Sequence, residues 1–121
     1  IGFASPYVSA INDLAVEFLA KTGVETLIRS EVGDDLDNYG QGELDPQAVF
    51  DLGLAADHPE ARAIVLSCTD MRSVEIIARL EQAVGKPVIT SNQAMAYQAM
   101  QLAGIGEALP GYGQLLQRER L

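Results

Sequence analysis

Apolar positions along the chain alternate between short continuous runs and stripes recurring every three or four residues. Continuous runs of strand length occur at Ile1–Ala4, Val24–Ile28, Ala63–Ser67 and Pro87–Thr90. Between them lie helical stripes. Ser5 and Pro6 form a cap-then-proline start, because proline's missing N–H costs nothing in a first turn. Ile11, Leu14, Ala15, Phe18 and Leu19 then share one helical face, and Gly23 is placed to stop that helix. Asp45-Pro46 repeats the device before a second helix over about Gln47–Ala56. Thr69 or Asp70 is the expected cap of a third, with Val74, Ile77, Leu80 and Val84 inward, Glu75 and Arg79 paired outside, and Gly85 after it. Ser91 or Asn92 is the expected cap of a fourth, which runs to Ala103 before Gly104. A polar stretch, Ser30–Leu44, separates the second strand from the second helix.

The order β-α-β-α-β-α-β-α predicts parallel neighbours joined by right-handed crossovers. The expected fold class is α/β, a three-layer flavodoxin-like or Rossmann-like parallel four-stranded sheet in the order 2-1-3-4. Residues 1–105 form the α/β unit, and 106–121 form a tail with Pro110, Gly111 and Gly113 before a helical turn at Leu115 and Leu116. The 121 residues make one domain's worth of core. The chain opens inside a strand and without Met, as a piece of a longer protein would.

The net charge of −9 argues against nucleic acid or an anionic membrane as partner. No apolar stretch reaches membrane-spanning length. A single cysteine excludes an internal disulfide framework and suits a reducing, cytoplasmic setting.

In a parallel sheet, all strand-to-helix loops share one edge. Here they carry Ser5-Pro6-Tyr7, the Ser30–Leu44 stretch, Ser67-Cys68-Thr69-Asp70 and Ser91-Asn92-Gln93. The opposite loops, among them Asp57-His58-Pro59-Glu60, are terse. Cys68 follows an apolar strand and is expected to sit at a helix N-terminus, where unpaired N–H groups favour a thiolate. A small buried apolar side chain is the alternative. Hydroxyls, backbone N–H groups and a thiol, without a basic cluster, suit a small carboxylate or its enolate. His58 and Cys68 fall on opposite edges, so neither a zinc site nor a Cys–His pair is expected. Gly40-Gln41-Gly42 lacks a third glycine and follows no strand, so it is no phosphate loop. Of the acids between Glu31 and Asp45, most read as a solvated loop, and their spacing does not match a calcium loop. They must point outward if the site takes an anion.

Several segments together resemble a known family. Val65-Leu66-Ser67-Cys68-Thr69, Arg72-Ser73, Gly85-Lys86-Pro87-Val88 and Thr90-Ser91-Asn92-Gln93-Ala94 resemble the C-terminal half of maleate cis-trans isomerases and arylmalonate decarboxylases, in the aspartate/glutamate racemase superfamily. Ser5-Pro6-Tyr7 resembles that family's strand-end tyrosine motif. Asp37-Asn38-Tyr39 through Leu44-Asp45-Pro46 resembles the isomerase branch, and Pro110-Gly111-Tyr112-Gly113 the decarboxylase tail. Ser73 stands where many isomerases carry Thr. The resemblance implies one of two pseudo-symmetric halves with the active site between them, and a tail packing on the absent N-terminal half.

By the same resemblance, Cys68 is the second-half catalytic cysteine. It serves as acid/base in a cofactor-independent, metal-free isomerase of a small cis-enedioate, maleate to fumarate. The alternatives are an arylmalonate-type decarboxylase, an amino-acid or hydantoin racemase protonating an enediolate, or an ectoine-degradation homologue. Tyr7, Asn38, Thr69, Ser5, Pro6 and Ser67 would bind the substrate. The implied partners are the small carboxylic acid and the missing half; a homo-oligomer is compatible with the sequence.

Overall fold

The computed structural model describes residues 1–118. Four parallel strands, β1 (Gly2–Ser5), β2 (Ile28–Glu31), β3 (Ile64–Leu66) and β4 (Val88–Thr90), lie in the order β2-β1-β3-β4. The register places Gly2 opposite Ile28 and Ile64, and Ile64 opposite Val88. The expected class and strand order therefore hold. Helices α1 (Ser9–Lys21), α2 (Asn38–Glu43), α3 (Pro46–Leu54), α4 (Ile77–Val84), α5 (Ser91–Leu102) and α6 (Gln114–Gln117) connect or follow the strands.

Alternation along the strands sends Ala4, Ile64, Leu66 and Val88 to one face, where Val49, Leu52 and Ala56 of α3 and Ile77 and Leu80 of α4 complete the core. Beneath α3 and at the start of β1 the chain comes too close for a side chain. A Cβ on Gly2 would lie 1.8 Å from the Ala56 carbonyl oxygen, and one on Gly53 2.5 Å from a Leu80 methyl. The right-handed β1-α1-β2 crossover puts α1 on the other face. Its stripe remains, but it is not covered by the described residues: Ile11, Leu14 and Phe18 are 47%, 64% and 66% exposed.

Several expected boundaries are corrected. The second strand is Ile28–Glu31 rather than Val24–Ile28, because the 22–27 segment is used in a turn whose Val24 N–H bonds Leu19 O and whose Leu27 N–H bonds Ile1 O. Ser5 does not cap α1, which begins at Ser9 after Val8; the Ser5 hydroxyl is engaged elsewhere. Thr90, not Ser91 or Asn92, caps α5, in a capping box with Gln93. Asp45 with Pro46 opens α3 as expected, its carboxylate accepting from Ala48 N–H at 2.7 Å.

The third helix departs most. Neither Thr69 nor Asp70 caps it; α4 starts only at Ile77. Met71, Ser73 and Ile76 are buried, so the 69–76 segment dips into the core as a loop, leaving Val74 exposed. Arg72 pairs with Glu75 at 2.9 Å, and Arg79 instead bonds Gln47 and lies 4.0 Å over the Phe50 ring.

The tail returns to β4 and α5. Leu116 is buried, and Gly113, at φ 87°, presses against Ile77 and Gln93. Gln93 Nε2 donates to Tyr112 O at 2.7 Å. Leu121 lies outside the described residues.

Candidate functional site

The carboxyl edge of the sheet gathers the chemistry. Ser67 N–H bonds Ala4 O at 2.9 Å, extending the β1–β3 ladder to the point where both strands end. Just beyond, the two loops carrying Tyr7 and Cys68 run side by side. The Tyr7 loop is closed by a ring of bonds. The buried Ser5 hydroxyl donates to Asn12 Oδ1 and accepts from Tyr7 N–H at 3.1 Å, while Asn12 Nδ2 donates to Tyr7 O at 3.1 Å. Asn12 is itself fully buried on α1, so the ring ties loop to helix. Pro6 is buried within it.

Tyr7 is half-buried and its phenol is hydrogen-bonded to Cys68. Burial first, then that bond, then charge repulsion from Cys68 and last from Asp70, push its pKa from 10.0 up to about 12. The hydroxyl is thus a neutral donor throughout the ordinary pH range. Cys68 is 2% exposed. Its Sγ–H donates to the Gln41 amide oxygen at 3.4 Å, and Gln41 is also buried. Cys68 does not sit at a helix N-terminus, since α4 begins at Ile77. The expected stabilisation of a thiolate by unpaired helical N–H groups is therefore missing. Side chains from the Tyr7 loop and from helix α2 meet the sulfur instead.

Helix α2 delivers Gln41. It lies inside the 30–44 stretch read only as polar loop, and the Asp37 carboxylate caps it, accepting from Gly40 N–H at 2.7 Å. A Cβ on Gly42 would come within 3.4 Å of Asp70 O, so α2 lies directly on the Cys68 loop. The acidic run is largely accounted for. Asp37 and Asp45 are caps, Glu31 pairs with Arg29 at 3.1 Å and accepts from Ser9, and Asp34, Asp35 and Glu43 are exposed. The acids do not crowd the sulfur.

The other candidates are less tightly held. Ser67 is half-buried beside Cys68, and Thr69 is exposed. The Thr69 carbonyl accepts from Asn92 Nδ2 at 2.9 Å, which ties the Cys68 loop to α5. Asn92 also lines an apolar pocket with Val74, Ile77, Ala96, Tyr112 and Leu116. Asn38 is exposed at the first position of α2, three residues before Gln41. The structure thus joins Tyr7 to Cys68 directly and leaves Asn38 and Thr69 open at the rim.

Sequence reasoning missed Gln41 and Asn12. Gln41 sits between two glycines that match no phosphate loop, and Asn12 interrupts an apolar stripe with no other mark. On the opposite edge, His58 Nδ1 accepts from Glu60 N–H at 3.1 Å. No cluster of metal-ligating side chains occurs among the described residues. No helix among them is long and apolar enough to cross a membrane.

Comparison with known proteins bears on the family and the fold. A family model described as arylmalonate decarboxylase matches residues 1–116. Arylmalonate decarboxylase of Bordetella bronchiseptica is 31% identical over 123 aligned positions, covering 95% of this chain and 49% of the relative. Maleate isomerase of Geobacillus stearothermophilus is 26% identical, covering 96% and 46%. A crystal structure of arylmalonate decarboxylase superposes with TM-score 0.83 at 28% identity, covering 95% of this chain and 51% of that one. A cysteine-to-serine variant of Nocardia farcinica maleate cis-trans isomerase, with a covalently bound succinylcysteine intermediate, superposes at 0.89 with 24% identity, covering 95% and 47%; that likeness shows the fold. The chain spans about half the length of the curated relatives it matches.

Proposed function

The chain belongs to the arylmalonate decarboxylase family, a family of enzymes, and from that premise we propose that it is one half of a cofactor-independent isomerase of a small cis-enedioate, maleate to fumarate in type. Cys68 is the acid/base. The observation that carries the reading is the sulfur's place at the shared end of β1 and β3, bonded to the Tyr7 phenol and to Gln41. A thiol held by two neutral hydrogen-bonding partners is suited to giving a proton to carbon.

Proton balance assigns the roles. When a nucleophile from the facing half adds to one alkene carbon, charge develops on the other carbon and its carboxylate. Cys68 S–H gives that carbon its proton and becomes a thiolate. Rotation about the new single bond follows. The thiolate then takes a proton back, the nucleophile leaves, and the trans-enedioate results with Cys68 restored. Tyr7, kept neutral, donates to a substrate carboxylate. Asn38 and Thr69 meet the substrate from the rim and Ser67 shapes the floor, while Ser5 and Pro6, expected to bind substrate, are fully buried and serve to hold the Tyr7 loop. The facing half supplies the second wall and excludes water, which strengthens each hydrogen bond to the developing charge.

A decarboxylase is the second reading, favoured by the family match and by the 31% identical relative. There the substrate loses CO2 to leave an enediolate, and Cys68 S–H protonates its carbon. Supplying the complete protein with maleate and, separately, with phenylmalonate decides between them. Fumarate formation supports the isomerase; CO2 release from phenylmalonate without fumarate replaces it with the decarboxylase. Turnover of neither overturns both.

A further inference from the structure

We propose that Gln41 is a positioning residue for Cys68: its amide oxygen accepts the S–H hydrogen bond and fixes where that hydrogen points, a role that rests on the acid/base reading of this thiol. The direction of the bond follows from the other end of the amide. Gln41 Nε2 donates to the Leu36 carbonyl oxygen at 3.1 Å. That carbonyl only accepts, so the NH2 group faces Leu36 and the oxygen faces the sulfur. The oxygen in turn only accepts. The partner 3.4 Å away must therefore carry the hydrogen, which makes Cys68 a thiol in this arrangement. A thiolate would set its lone pairs against those of the amide.

The backbone that carries this amide is fixed as well. Gln41 N–H bonds Asp37 O at 2.9 Å, Asp37 caps the same turn, and the side chain is only 6% exposed. A buried amide locked at both ends does not turn to offer its NH2 to the sulfur without orphaning the Leu36 carbonyl. Tyr7 is the titratable group bonded to Cys68 from the β1–α1 loop, and Asp70 is the acid close enough to act on that phenol. The neutral phenol can donate to a thiol or a thiolate alike, so Gln41, whose oxygen only accepts, is the partner that requires the S–H. The Gly40-Gln41-Gly42 segment gains a purpose: at Gly42, where a Cβ would lie 3.4 Å from Asp70 O, the short helix rests on the Cys68 loop.

The S–H stretching band reports this bond directly. In the full chain, the band belonging to Cys68 is identified as the one lost in Cys68→Ser. We expect it at the lowered frequency of a hydrogen-bonded thiol, moving up to that of an unbonded thiol in Gln41→Met, which keeps length and burial but has no amide oxygen. Gln41→Glu, which offers a stronger acceptor, should keep the band lowered, and it serves if the Met variant does not fold. A band already at the unbonded position, or one unmoved by Gln41→Met, overturns the proposal. Because this signal needs no substrate, it stands or falls apart from the isomerase reading. Where maleate is turned over, Gln41→Met should lower kcat about tenfold with KM nearly unchanged, the loss of one hydrogen bond to a group that does not itself touch substrate. A rise in KM alone would instead make Gln41 a binding residue and overturn the positioning role.

Discussion

The Cys68 sulfur and the Gln41 amide oxygen lie 3.4 Å apart across 27 residues of sequence, joining the loop after β3 to a short helix that follows β2. Both residues are buried, so the contact is made inside the protein and not at its rim. The thiol is therefore placed by side chains from a flanking loop and a flanking helix, Tyr7 on one side and Gln41 on the other.

Replacing the sulfur tests its role with little disturbance of that frame. In Cys68→Ser the hydroxyl can still donate to Gln41, so the circular dichroism spectrum and thermal midpoint should stay close to the parent's. Turnover by the complete protein should fall about 10²–10⁴-fold, because an alcohol is a far poorer proton donor to carbon. Near-parental turnover would remove Cys68 from the chemistry.

Tyr7 should be visible in an alkaline titration. Its phenol ionises at about 12 instead of 10.0, chiefly because of burial and then because of its bond to Cys68. The folded state holds this proton more tightly than the unfolded state. Its contribution to stability is thus complete below pH 10 and is lost as pH rises toward 12. Tyrosinate absorbance should show a late step near pH 12 that is absent from Tyr7→Phe. The same variant should bind a carboxylate substrate less well, read as a higher KM. A titration curve with no late step would contradict the Tyr7–Cys68 contact.

Asn12 holds the Tyr7 loop from α1. Asn12→Ala leaves the Ser5 hydroxyl without its acceptor and the Tyr7 carbonyl without that donor, both at buried or half-buried positions. A loss of about 1–3 kcal/mol in urea unfolding is expected. A midpoint equal to the parent's would mean that the ring of bonds contributes nothing net.

Gly2 is limited by space and not by backbone angle. A methyl there would lie 1.8 Å from the Ala56 carbonyl oxygen at the end of α3, and backbone cannot swing aside as a flexible side chain can. Gly2→Ala should therefore cost at least about 1–3 kcal/mol, the usual range for overpacking, or abolish folding. Unchanged stability would show that α3 can shift away from β1 freely.

The sequence by itself determined the class of fold, the number of strands, their order and the edge where the chemistry gathers. These depend on local patterns: continuous apolar runs for strands, the Asp45-Pro46 start of α3, the left-handed glycines Gly85 and Gly104 after α4 and α5, and the fixed hand of crossovers. Tyr7 and Cys68 were legible for the same reason, since each follows a strand directly.

Tertiary structure alone decided what lies beside the sulfur. Thr69 and Asp70 are good caps in isolation, yet burial of Met71 and Ile76 outweighs one capping bond and delays α4 to Ile77. Asn12 and Gln41 carry no periodic signal, because a polar side chain is useful in a core only where a distant partner meets it, and that partner is fixed by packing. The stripe of Ile11, Leu14 and Phe18 shows the converse: its spacing establishes a helix, but nothing in the pattern states whether neighbouring chain covers it. Local chemistry sets which elements form; only the closing of loops 27 residues apart sets which atoms touch.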